Sequence, residues 1–210
     1  MLKADPVWIE QQGFKTDAIL NHQDIIPFVK SFLFRKNNVT LFYLIFNIIF
    51  CILLIASMFV SVYTGTLTFG EAFKWFSWGC LIPFLLVPLH EWLHGIAYKF
   101  CGAKVVSYDV NWKQFYFMAI ADKFVATRKS FLIVALTPFT AITIALLIPV
   151  LLPSTPGINI MLITAIFIHG SMCAGDFGLL SYFETNRNKE VITYDDRAAG
   201  LSYFFVRDKA

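Results

Sequence analysis

The stretch TLFYLIFNIIFCILLIASMFVSVY, Thr40 to Tyr63, decides the fold. It contains no Asp, Glu, Lys or Arg, and Asn47 is its one amide. A helix needs roughly 20 apolar residues to cross a hydrocarbon core about 30 Å thick, so this run is long enough to span a membrane. Working outward, 131–153 is a second uncharged run. A third, 157–183, is interrupted only by His169 and Asp176. Between the first two lies 78–101, apolar except for His90, Glu91, His94 and Lys99. These runs predict an all-α membrane protein with four transmembrane helices at about 40–63, 78–101, 131–153 and 157–183.

Composition agrees. Of 210 residues, 58% are apolar and 15% charged, where soluble domains are about half apolar and a quarter charged. A soluble enzyme and a disordered tail are excluded on this count. A net charge of +3 with no dominating Lys/Arg block argues against a nucleic-acid binder.

Charge placement predicts topology. Residues 1–39 hold five Lys/Arg, 99–130 six, and the tail after Phe183 five more; the loops 64–77 and 154–156 hold Lys74 alone. The positive-inside rule then places both termini and the 102–130 insert in the cytoplasm. The expected domains are a cytoplasmic segment 1–39 with interfacial helices, a four-span membrane domain 40–183, and a cytoplasmic tail 184–210. Asp5, Glu10, Asp17 and Asp24 break up the first 30 residues, so no cleavable signal peptide is read there, and the first span serves as an uncleaved insertion signal. Within the insert, Val105, Tyr108, Val110, Trp112, Phe115, Phe117 and Ile120 are strand formers among polar residues. They predict a small hairpin between spans two and three, with Asp109-Val110-Asn111 as its turn. Pro153, Pro156 and Gly157 mark a tight outer turn. The cysteines at 51, 80, 101 and 173 form no Cys-x-x-Cys pair and read as packing residues.

Ionisable groups inside a span each cost roughly 2.5–3.5 kcal/mol on insertion scales, so those that occur need a reason. His90-Glu91-Trp92-Leu93-His94 is an HExxH pattern. On a helix, positions i and i+4 share a face, and both imidazoles can reach one ion. Zinc suits such ligands. Glu91 lies beside them, close enough to take a proton from a zinc-activated water as general base and return it to a leaving amine. A catalytic zinc usually takes a third protein ligand. Asp176 is the one carboxylate in the other three spans. At 1.5 Å per residue, counted from Lys99 and Glu184, His90, His94 and Asp176 all lie about 7–14 Å below the cytoplasmic edge. His169 stands seven residues before Asp176. It reads as a fourth ligand, a substrate-binding or outer-shell partner, an oxyanion donor, or a residue facing the bundle interior or the outer leaflet. About 10 Å of helix separates it from Asp176, so joint ligation requires a break, for which Gly170 and Gly175 leave room. Cys173 is a soft donor nearby, with packing its expected role. Pro83 and Pro88 loosen the helix ahead of the motif.

The chain resembles integral-membrane metallopeptidases of the site-2 protease kind. More closely, it resembles bacterial zincin-like membrane proteins catalogued as a domain of unknown function. The resemblance rests on His90-Glu91-Trp92-Leu93-His94-Gly95, Leu136-Thr137-Pro138-Phe139 and Gly175-Asp176, and covers roughly 78–183. It implies a three-helix catalytic core, a zinc ion held by His90, His94 and Asp176, Glu91 as catalytic base, and β-structure at 102–130 that holds an extended substrate. The site-2 pattern ends in Asp-Gly. Here Phe177 follows Asp176 and no Asn-x-x-Pro element precedes it, which favours the zincin-like family. The expectation is a zinc metallopeptidase of the bacterial cytoplasmic membrane, in contact with lipid and acting on membrane proteins or peptides. Its rivals are a non-catalytic metal-binding scaffold and a small proton or metal transporter. The close i, i+4 pair favours a fixed site over a path.

Overall fold

The computed structural model describes residues 3–111 and 116–209. The described chain runs α1 (Pro6–Gln11), β1 (Lys15–Asn21), α2 (Ile25–Leu33), α3 (Asn38–Tyr63), α4 (Phe69–Phe100), β2 (Ser107–Asn111), β3 (Tyr116–Ile120), β4 (Ala126–Thr127), α5 (Arg128–Leu151), α6 (Pro156–Met172), α7 (Ala174–Thr185), β5 (Lys189–Asp196) and β6 (Leu201–Asp208). Three helices, α3, α4 and α5, are long and apolar enough to cross a membrane, consistent with an integral membrane protein. The expected fourth span is a pair, α6 and α7, bent by 47°. The break falls at Cys173, whose N–H still reaches the carbonyls of His169 and Gly170. Helix α4 begins well before the expected start at 78. Thr68 and Glu71 cap it reciprocally: Glu71 accepts from the Thr68 N–H, and Thr68 Oγ1 accepts from the Glu71 N–H.

The chain divides into two units. One comprises Leu41–His90 and Pro138–Ala174. Phe50, Leu54, Ala72, Ile160, Ile163 and Ile166 form its core. On the opposite side, α3 exposes Leu41, Ile45, Ile52, Ile55 and Phe59. Small residues let α4 and α6 approach closely, as is usual between helices in lipid. A Cβ at Gly79 would lie 2.5 Å from the Met161 carbonyl oxygen and from Thr164 Cβ. Gly79→Ala should therefore push backbone apart and cost about 1–3 kcal/mol, read as a lower unfolding temperature in detergent. Thr155 caps α6 by accepting from the Ile158 N–H, with Pro156 at the first helical position. A short turn does join α5 to α6 where Pro153, Pro156 and Gly157 predict one.

The other unit comprises Met1–Thr40, Glu91–Thr137 and Gly175–Ala210. It corrects the all-α expectation. An antiparallel four-stranded sheet of order β1-β6-β5-β4 joins the segments expected to be an interfacial N-terminus and a plain tail. Residues 15–21 are a strand and not part of a surface helix, because β6 offers an edge that Lys15 to Asn21 pair along. The sheet has two covered faces. Val191, Phe204 and Val206 pack with Phe32, Phe131 and Tyr182, while Ile192, Tyr194 and Phe205 pack with Ile9 and Phe14. Strands covered on both sides read as continuous apolar runs without alternation, as in Tyr203-Phe204-Phe205-Val206.

Asp195 lies in this sheet. Burial pushes its carboxyl above the usual range, and nearby Asp122 adds to this; the Ser202 hydroxyl, donating at 2.5 Å, and His22 oppose it. A raised pKa in the folded state means that folding takes up a proton. This contribution to stability is complete below the unfolded pKa of about 3.9 and lost as pH rises through the folded value. Asp195→Asn should flatten that part of the pH profile of thermal unfolding.

In the 102–130 insert, β2 and β3 pair antiparallel from Ser107↔Ile120 to Asn111↔Tyr116. The turn expected at Asp109-Val110-Asn111 is instead strand, because each of these residues has a partner on β3. Trp112 and Phe115 lie outside the described residues.

Candidate metal centre

Helix α4 carries the HExxH residues on adjoining positions of one turn. One donor atom from each of His90, Glu91 and His94 lies within 4.8 Å of the others. The α-helical repeat alone produces this spacing.

His94 is buried, and both of its ring nitrogens are engaged. Nδ1 lies 3.0 Å from the Val134 carbonyl oxygen of α5. A carbonyl only accepts, so Nδ1 carries the proton and donates. In the neutral ring that leaves Nε2 as the lone-pair nitrogen, and it faces Asp176 Oδ1 on α7 at 3.3 Å. A proton on Nε2 would make this contact an imidazolium–carboxylate ion pair, and a metal ion between the two atoms would make them neighbouring ligands. Two N/O ligands of a tetrahedral zinc stand about 3.3–3.4 Å apart when each bond is 2.0–2.1 Å. The observed separation matches that edge. Imidazole and carboxylate are both donors that zinc takes in catalytic sites, so His94 and Asp176 fit two neighbouring ligands of a zinc ion.

Glu91 Oε2 accepts from the Ala119 N–H of β3 at 2.8 Å. Strand β2 also reaches α4 near the motif: a Cβ on Gly95 would collide with the Tyr108 hydroxyl. The residue after the second histidine therefore has to be small.

His90 meets His169 of α6. His90 Nδ1 and His169 Nε2 are 3.2 Å apart, and Cys173 Sγ lies 3.9 Å from the same His169 nitrogen. The sequence grouped His94 with Asp176 and left room for a break in the last span without predicting one. It left the partner of His169 open. It could not point to Ala119 or Val134, which act through backbone groups. Asn47, conspicuous as the one amide of its span, accepts from the Ser171 hydroxyl at 2.8 Å, two residues beyond His169.

The chain thus carries an HExxH motif on a membrane-length helix, with the second histidine of the motif facing Asp176. A family described as "Putative zincin peptidase" matches residues 83–189, just over half of the chain, and the protein belongs to that family. The matched region contains His90, Glu91, His94, His169 and Asp176. No curated protein and no solved structure matches the chain significantly.

Proposed function

We propose that the protein is a zinc metallopeptidase embedded in a bacterial cytoplasmic membrane, with four spans and both termini in the cytoplasm. The approach of His94 Nε2 to Asp176 Oδ1 beside Glu91 carries this reading. His90, His94 and Asp176 would hold the zinc, which as a Lewis acid brings the pKa of a water to about 7. Glu91, held in place by the Ala119 N–H, takes the proton as water adds to the peptide carbonyl carbon, and returns that proton to the amine nitrogen as the C–N bond breaks. Val134 keeps His94 in the tautomer this requires. The paired strands β2 and β3, one of which contacts Glu91, suit an extended substrate taken up by strand addition.

Membrane embedding is supported by α3, which carries a wide apolar surface exposed to its surroundings; exposed patches of this kind mark a lipid or protein partner. Topology rests on the Lys/Arg distribution. Comparing membrane proteomes of cells carrying wild-type and Glu91→Gln protein tests the function. Full-length substrate should accumulate with the variant. Identical proteomes under overexpression would contradict the proposal.

A further inference from the structure

We infer that His169 is a positioning residue that holds His90 in its metal-binding tautomer, a role that rests on the zinc reading above. A neutral imidazole donates through one nitrogen and accepts through the other. For His90 to offer Nε2 to a metal, its Nδ1 must carry the proton, and that proton needs an acceptor. His169 Nε2 is at 3.2 Å. His94 is served in the same way by the Val134 carbonyl at 3.0 Å. The two histidines of the motif are thus oriented from behind by two different kinds of acceptor. A metal-bound histidine commonly donates its other N–H in this manner, which raises its basicity and fixes its ring.

The surroundings of His169 are built to hold it still. His169 is 3% exposed and Cys173 1%, so the accepting ring is itself shielded from solvent. The end of α6 is pinned by α3. The Ser171 carbonyl accepts from the Tyr43 hydroxyl at 2.9 Å, the Ser171 hydroxyl donates to Asn47, and the Phe46 ring fills the space where a Gly170 Cβ would stand. Helix α3 precedes the family-matched region, so a part of the chain outside that region supports the placement of His90. Cys173 Sγ, at 3.9 Å, is the more distant neighbour of the His169 nitrogen that His90 approaches at 3.2 Å.

His90, His169 and Cys173 also satisfy the spacing of a metal-binding group by themselves. Orientation and direct ligation therefore have to be separated by experiment. The full chain in detergent is titrated with zinc against a competing chelator, and with Co²⁺ for its visible spectrum. His169→Leu removes the acceptor and should weaken zinc binding about 10–100-fold, with stoichiometry at saturating metal unchanged. His169→Gln restores a carbonyl acceptor and should recover most of the affinity. His90→Ala should lose the bound metal. In ¹⁵N-histidine spectra of the wild-type protein, His90 should carry its proton on Nδ1, a readout that needs no variant to fold.

Unchanged affinity in His169→Leu, or a His90 protonated on Nε2, would overturn the inference. So would loss of metal at saturation in His169→Leu, which would make His169 a ligand. A second bound Co²⁺ with a thiolate charge-transfer band abolished by Cys173→Ser would assign the cluster to a separate site and overturn it as well. Absence of zinc binding in the wild-type protein would remove both this role and the proposed function. A normal wild-type site with an indifferent His169 would remove this role alone.

Discussion

Glu91→Gln should eliminate peptide hydrolysis while the protein keeps its zinc. A positioned general base contributes about 10²–10⁴-fold, and an amide oxygen in its place accepts no proton at neutral pH. The substitution preserves size and shape. The side-chain oxygen of Gln can still accept from the Ala119 N–H that Glu91 Oε2 now engages, so the local fold should survive. Turnover of an accumulated membrane substrate, measured beside metal content in the same preparation, checks both halves. Retained hydrolysis would remove Glu91 as base. Loss of zinc together with activity would mean that the carboxylate is a ligand.

Asp176→Ala should reduce zinc affinity by more than about 100-fold, the upper end of what outer-shell partners contribute. His94 Nε2 would lose the oxygen it faces at 3.3 Å, and the remaining ligands would be the two histidines of one helix. Asp176→Asn separates charge from shape: it keeps an oxygen donor but not the negative charge, and should fall between wild type and alanine. Zinc retained after dialysis against chelator is the readout. Equal retention in all three proteins would mean that Asp176 serves packing.

The membrane-length helices were legible because run length and charge exclusion are properties of composition along the chain. Thr40–Tyr63 needs no tertiary information to read as a long apolar helix. The HExxH turn was legible for a similar reason, since its geometry is local to α4. Asp176 was found as the one carboxylate in the other spans, with depth counted from the charged span ends in support, and it lies against His94. The four-stranded sheet was missed because its signals were read as tail. Val191-Ile192-Thr193-Tyr194 and Tyr203-Phe204-Phe205-Val206, separated by a turn with Gly200 at φ 67, are strand runs without alternation. Both faces are buried, so the period-two cue is absent. Strand β1 was misread since its partner β6 lies at the far end of the chain. Ala119 and Val134 contribute backbone atoms, which no side-chain pattern reveals. The partner of His169 depended on where α6 ends, and that is set by contacts of Ser171 with Tyr43 and Asn47.

The central claim, a zinc ion held by His90, His94 and Asp176 for peptide hydrolysis, is tested most directly by metal analysis of the purified full chain. The wild-type protein, prepared with zinc supplied and excess removed, should retain one zinc ion per chain. The His90→Ala/His94→Ala double variant, folded to the same degree by thermal unfolding, should retain essentially none. A wild-type protein that holds no more zinc than the double variant would contradict the account.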